Sequence, residues 1–282
     1  MRKYGLWLGA MLLVLVGLAG TAWAAVDWKT VSSWRPEERP VDLAFSQDGK
    51  WVFLLTARNN VLIYSAAGKL EGRIPVEPGA QGIAISPRGD QLLLFNPGKE
   101  SVQVIAVGFI VQINTVGAPF MGPAEAPVEI VLFSDFQCPA CSTVPPLMDQ
   151  VLELYPRQVR LVFKNFPLII HPFARTAAMA ALAAAEQGKF WAFHDQLFRI
   201  SAALDNDKIG QIAANLKLDV KRFRADIAGP VLRQKLEQDL NDGREAGVDG
   251  TPSIFVNGRR LNDRSLPALR QMVDEELAKK RN

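Results

Sequence analysis

Val128-Glu129-Ile130-Val131-Leu132-Phe133-Ser134-Asp135-Phe136-Gln137-Cys138-Pro139-Ala140-Cys141 is the stretch on which the fold turns. Residues 128–133 form a near-continuous apolar run of the kind buried at the centre of a sheet. Beyond the cysteines, Val144, Leu147, Met148, Val151 and Leu152 recur at helical spacing. Pro139 suits a first helical turn, where its missing N–H is no loss. The predicted order is strand, cysteine pair, helix.

Cys138 and Cys141 are the only 2 cysteines in 282 residues. A disulfide used as a staple stabilises through the loop it closes, and so short a ring closes almost nothing. The spacing therefore belongs to chemistry or to a metal. The nucleophile of thiol chemistry is the thiolate, which needs stabilisation at neutral pH. A cysteine where a buried strand gives way to a helix meets unpaired N–H groups and the positive end of the helix dipole. Cys138 is thus the expected nucleophile, and Cys141, one turn further in, the expected buried resolving thiol. Zinc is the chemical rival, because the only two histidines, His171 and His194, would complete a Cys2His2 set. Their spacing fits no ordinary zinc finger, and no metal is expected.

Outward toward the C-terminus, Val159 to Phe163 reads as a second strand, and about 172–246 as a long helical stretch opened by the alanine-rich 174–185. Strands return at Ser253-Ile254-Phe255-Val256 and Arg259-Arg260-Leu261 around the Asn257-Gly258 turn. A final amphipathic helix carries Leu266, Leu269, Met272, Val273 and Leu277. This is an α/β domain over 128–282 with an inserted helical subdomain.

Toward the N-terminus, the Pro- and Gly-rich 117–127 reads as a linker, and 26–116 as an all-β module. Leu43-Ala44-Phe45-Ser46-Gln47-Asp48-Gly49 returns forty residues later as Ile83-Ala84-Ile85-Ser86-Pro87-Arg88-Gly89, each copy followed by another apolar strand. That period resembles a propeller blade of the YncE or WD40 kind. Two blade-like units fall short of the four or so in a closed propeller. Unprotected edges then imply packing on a neighbour or homo-oligomerisation through this module, the alternative being a small two-sheet β domain with no partner role. The tryptophans Trp28, Trp34 and Trp51 are expected to pack rather than to stack on a ligand.

The first 24 residues have a basic start (Arg2, Lys3), an apolar run to Gly20 and Ala22-Trp23-Ala24, the pattern of a cleaved signal peptide. The alternative is an uncleaved anchor. A periplasmic or otherwise extracytoplasmic location follows. Of 32 basic residues, Arg2 and Lys3 fall in this segment, leaving 30 against 29 acidic ones. A near-neutral mature chain gives no electrostatic reason to bind nucleic acid.

Four segments together resemble the DsbA-like thiol–disulfide oxidoreductases: Phe133 to Cys141, Phe163-Lys164-Asn165-Phe166-Pro167 with His171-Pro172, Gln187 to Trp191, and Gly247 to Gly258. The resemblance covers about 125 to 280. It implies a thioredoxin fold with a helical insertion and a cis Thr251-Pro252 bond facing the cysteines, with Thr251 and Pro252 as substrate-contact residues. It implies no cofactor beyond the redox-active Cys138–Cys141 disulfide, cysteine-containing exported proteins as substrates, and a partner protein that regenerates the pair. Pro139, Ala140, Asp135 and His171 are candidates for tuning the thiols, Asp135 alternatively for capping the helix.

Two departures bear on the chemistry. Many thioredoxin-fold proteins keep a buried carboxylate where this chain has Leu132, so proton transfer at Cys141 has no evident base. The dipeptide between the cysteines is Pro-Ala rather than the Pro-His of the most oxidising members, which implies a milder oxidant. The rival readings are a disulfide reductase or isomerase with a dimerising N-terminal module, and a non-catalytic partner-binding protein on the same scaffold.

Overall fold

The computed structural model describes residues 27–87 and 89–279, which form two compact units, the chain dividing between Ile105 and Ala106. The signal peptide expected at 1–24 lies outside the described residues. Among those described, no helix is long and apolar enough to cross a membrane.

In the first unit, β1 (Pro40–Phe45), β2 (Trp51–Thr56), β3 (Asn60–Ser65) and β4 (Leu70–Pro75) pair in sequence order as an antiparallel sheet. A second sheet has the order β5 (Gly82–Ile85), β6 (Gln91–Asn96), β7 (Ser101–Ala106). The sequence repeat encodes one turn used twice. Ser46 and Ser86 each donate their N–H to a carbonyl five residues on, Trp51 and Gln91, at 2.9 Å. Each hydroxyl accepts the N–H of that same residue, at 2.9 and 3.1 Å. Gly49 and Gly89 sit at φ +68° and +73°, a region in which an L side chain is strained. Phe53, Leu55, Leu62, Leu92 and Leu94 are fully buried, and Trp34 packs on Tyr64 with ring centroids 4.6 Å apart.

The second unit contains β8 (Phe120–Met121), β9 (Val128–Ser134), α1 (Pro145–Leu154), β10 (Val159–Asn165), α2 (Ala174–Ala185), α3 (Phe190–Arg199), α4 (Asn206–Asn215), α5 (Val220–Ala228), α6 (Pro230–Glu245), β11 (Ser253–Val256), β12 (Arg259–Arg260) and α7 (Leu266–Lys279). Its sheet has the order β12-β11-β9-β10-β8. β9 runs parallel to β10, as two strands joined through a helix must, and antiparallel to β11. Leu132 therefore lies between Phe163 and Ile254 at the centre of the sheet, buried on both faces. This thioredoxin-like α/β sheet places the end of β9 at the middle of the unit.

α2 is apolar nearly all round, and its small alanines let the neighbouring helices approach closely. α6 lies against the sheet through Gly243, where a Cβ would come within 2.6 Å of the Phe166 ring and 3.1 Å of Phe133. Phe133 in turn meets Phe166 and Phe255 edge to face.

One expectation needs correction. The segment 117–127 is no free linker: Phe120 and Met121 pair with Val162 and Leu161, and a Cβ on Gly122 would fall 2.3 Å from the Val159 carbonyl. Composition flagged its prolines and glycines, whereas the edge strand is dictated by β10. The N-terminal unit is β-rich, and its two open sheets of four and three strands form no closed propeller. Where a fourth strand would follow β7, Ile110 bridges to Arg259 and the Val111 N–H donates to Gly258 O at 3.0 Å instead.

Candidate active site

β9 ends at Ser134, and the chain turns through Asp135 to Gln137 before Cys138. The strand-to-helix junction expected at Cys138 is replaced by a turn followed by a short 3-10 helix, Cys141–Thr143, and α1 begins only at Pro145. The cause is Pro145-Pro146. Neither has an N–H, so the carbonyls of Cys141 and Ser142 lose their helical i+4 donors. The turn closes by shorter bonds: Cys141 N–H to Cys138 O at 3.0 Å and Val144 N–H to Cys141 O at 3.1 Å. Pro139 and Ala140 are exposed on this turn, their carbonyls accepting from the Ser142 and Thr143 hydroxyls.

The two sulfurs are unequal. Both cysteines are free thiols, Cys138 7% exposed and Cys141 wholly buried, so solvent reaches the pair through Cys138. The Cys138 thiol donates to the carbonyl of Thr251 at 3.5 Å. Thr251-Pro252 is a cis peptide, and Pro252 is buried. Burial pushes the Cys141 thiol up to about 11, against the smaller opposing effects of the Ser134 and Thr251 hydroxyls and the Asp135 N–H.

Asp135 is a buried hub. Its carboxylate accepts from the N–H groups of Gln137 (2.7 Å) and Leu168 (2.9 Å) and pairs with His171 Nδ1 at 2.7 Å. Gln137 Oε1 then accepts from the Phe173 N–H at 2.7 Å. The segment after β10 is thereby tied to the cysteine turn, and it carries Ile169 and Ile170 at 102% and 76% exposure. Asp135 does not cap α1. His194 is in the core against Phe136, Phe163 and Phe198. Among the described residues, no group of three or more His, Cys, Asp or Glu is placed to hold a metal.

Sequence reasoning passed over Ser134, Gln137 and Leu168. The one available signal was Ser134 itself, a hydroxyl ending a strand that is apolar from Ile130 to Phe133.

Residues 114–275 match the family model described as Thioredoxin. Over 140 residues the chain is 42% identical to the Na(+)/H(+) antiporter NhaA 3 of Salinispora tropica, a match covering 49% of this chain and 21% of the antiporter. The chain thus spans about a fifth of that relative's length. It is 31% identical over 173 residues to the probable disulfide bond formation protein D of Bacillus anthracis, covering 56% of this chain and 78% of that protein. Among solved structures, a thioredoxin-like oxidoreductase from Silicibacter pomeroyi is 29% identical, with a TM-score of 0.51 over 58% of this chain and 92% of that one. Oxidised BdbD from Bacillus subtilis, 20% identical, shares the fold with a TM-score of 0.54 over 61% of this chain and 98% of its own. With a matched segment running from ahead of β8 into α7 and a cysteine pair at the end of the central strand, the chain belongs to the thioredoxin family.

Proposed function

We propose that this chain is an exported thiol–disulfide oxidoreductase that exchanges disulfides with cysteine-containing proteins, Cys138 acting as nucleophile and Cys141 as resolving thiol. The observation that carries this is the inequality of the pair: one sulfur reachable beside the Thr251 carbonyl, the other sealed three residues on. A substrate thiolate attacks Cys138 Sγ of the oxidised pair, the S–S bond breaks, and its electron pair departs on Cys141. A second substrate thiolate then attacks the substrate sulfur of the mixed disulfide and releases Cys138. The two substrate protons end on the two cysteines, and the reverse sequence reduces a disulfide. No cofactor beyond the dithiol couple enters, and a partner protein restores the oxidised pair.

Thr251 and Pro252 shape the groove in which the substrate strand lies, supported by the closeness of the Thr251 carbonyl to the reacting sulfur. Asp135 and His171 fix the turn that carries Pro139 and Ala140, which is how they would tune the thiols. Ile169 and Ile170 give a protein substrate apolar purchase. The oxidising direction is favoured by the name of the Bacillus anthracis relative, and the extracytoplasmic location by the signal-like residues 1–24. The test is the oxidised full chain mixed with a two-cysteine peptide. Peptide disulfide should appear one for one with the loss of the protein disulfide, and an unchanged peptide overturns the reading.

One observation favours a second reading, a dimeric reductase or isomerase. Val41, Leu43 and Phe45 on β1 and Val102 and Val104 on β7 are about half exposed, so that each strand carries an exposed apolar stripe. A second copy covering those stripes would hold two active sites apart. Sedimentation should then give a dimer that Leu43→Glu with Val104→Glu dissociates, and a monomeric wild-type chain removes this reading.

A further inference from the structure

Resting on the thiol-exchange reading, a narrower question is what receives the charge on Cys141. In either direction of exchange this sulfur passes through a thiolate, as leaving group when the pair is reduced and as attacking group when the pair is re-formed. It does so with no solvent exposure, and the chain has Leu132, not a carboxylate, at the centre of the sheet. Burial raises the thiol to about 11, so the anion needs donors close by.

Two hydroxyls stand there with nothing else to do. Ser134 Oγ, on a residue 1% exposed, and Thr251 Oγ1 are both buried and without a hydrogen-bond partner among the described residues. They come from different elements, the end of β9 and the loop before β11, and both lie near enough to the Cys141 thiol to lower it against its burial, as does the N–H of Asp135. A neutral thiol is a weak acceptor, which leaves both hydroxyls unsatisfied in the dithiol form. A thiolate satisfies both at once, through hydrogen bonds of the charge-assisted kind.

We propose that the Ser134 and Thr251 hydroxyls form a two-donor cradle for the Cys141 thiolate, stabilising the resolving sulfur in the step where it attacks or departs. In the re-oxidising direction, Cys141 loses its proton, its thiolate bonds to Cys138 Sγ, the bond from Cys138 to the substrate sulfur breaks, and the departing substrate thiolate takes the proton. The hydroxyls keep their own protons throughout.

The cradle predicts an uncommon pairing of effects. Ser134→Ala and Thr251→Val each delete an unpartnered buried hydroxyl, so the dithiol form should melt no lower than wild type. Yet each variant should slow the Cys141 step by about 10- to 100-fold, the scale for one hydrogen bond to a charged group.

A symmetric aromatic disulfide such as 5,5′-dithiobis(2-nitrobenzoate) separates the steps in the reduced full chain. Its first coloured thiolate is released by Cys138 attack and its second by Cys141 resolution. The first release should stay within about 3-fold of wild type in Ser134→Ala, while in both variants the pH profile of the second moves upward by about one unit or more, following the raised thiol. Ser134→Thr, which keeps the hydroxyl, should restore the second rate. An unmoved second release and pH profile in both variants overturns the cradle, as does a lowered melting point of the dithiol form with both rates intact. Should wild type itself give no second release, the dithiol reading fails first, which separates that failure from this one.

Discussion

Cys138→Ser should abolish exchange with a two-cysteine peptide, by roughly a thousandfold or more, the scale on which loss of a covalent nucleophile is felt. Serine keeps the shape of a residue that is 7% exposed, so the fold should persist and the loss is chemical. Cys141→Ser should behave differently. Cys138 remains reachable beside the Thr251 carbonyl and still attacks a disulfide, but the buried position no longer holds a sulfur to displace what becomes attached. Mixed disulfides with substrate should therefore accumulate, visible as a mass shift reversed by reductant. The pair of results is diagnostic, because a metal site or a passive scaffold gives no trapped adduct from either variant. Equal trapping by both variants would instead show that the two sulfurs are equally accessible.

How far the sequence foretells this site depends on which physics places each residue. The run 128–133 announces a central strand because burial on both faces removes polar alternation, and β9 forms there. The cysteine spacing announces chemistry by the same kind of local argument. The start of the following helix was misplaced because Pro139 and Pro145 are equally acceptable at a first turn, and only the tandem with Pro146 denies the carbonyls of Cys141 and Ser142 their donors. The strand at Phe120–Met121 was illegible because its partner, β10, lies some forty residues further on. The repeat at Ser46 and Ser86 was legible as turn chemistry, which is local, while closure depends on strand number, which is not. Ser134 and the unpartnered state of the Thr251 hydroxyl escaped for a similar reason: whether a hydroxyl has a partner is decided by what other elements bring to it.

Lys164→Met should cost the second unit about 3–5 kcal/mol, the penalty for removing one member of a buried ion cluster. Lys164 is 2% exposed on β10, and its ammonium lies 2.7 Å from both Asp239 Oδ1 and Asp242 Oδ2 on α6, with the Asn114 carbonyl at 3.1 Å. Methionine fills the volume but leaves two buried carboxylates facing each other without a cation. Asp242→Asn is the gentler change, because Lys164 keeps Asp239 and the carbonyl, and about 1 kcal/mol is expected, near the ordinary net value of a hydrogen bond. Asp239 also accepts from the backbone and side-chain amides of Asn165, the last residue of β10, so the cluster fastens α6 to the sheet as well as neutralising charge. Amide exchange in β9 and β10 follows this unit apart from the first, and its protection should fall far more in Lys164→Met than in Asp242→Asn. Equal losses would mean that the cation contributes only its hydrogen bonds, and that the charge of the two aspartates is carried by something other than Lys164.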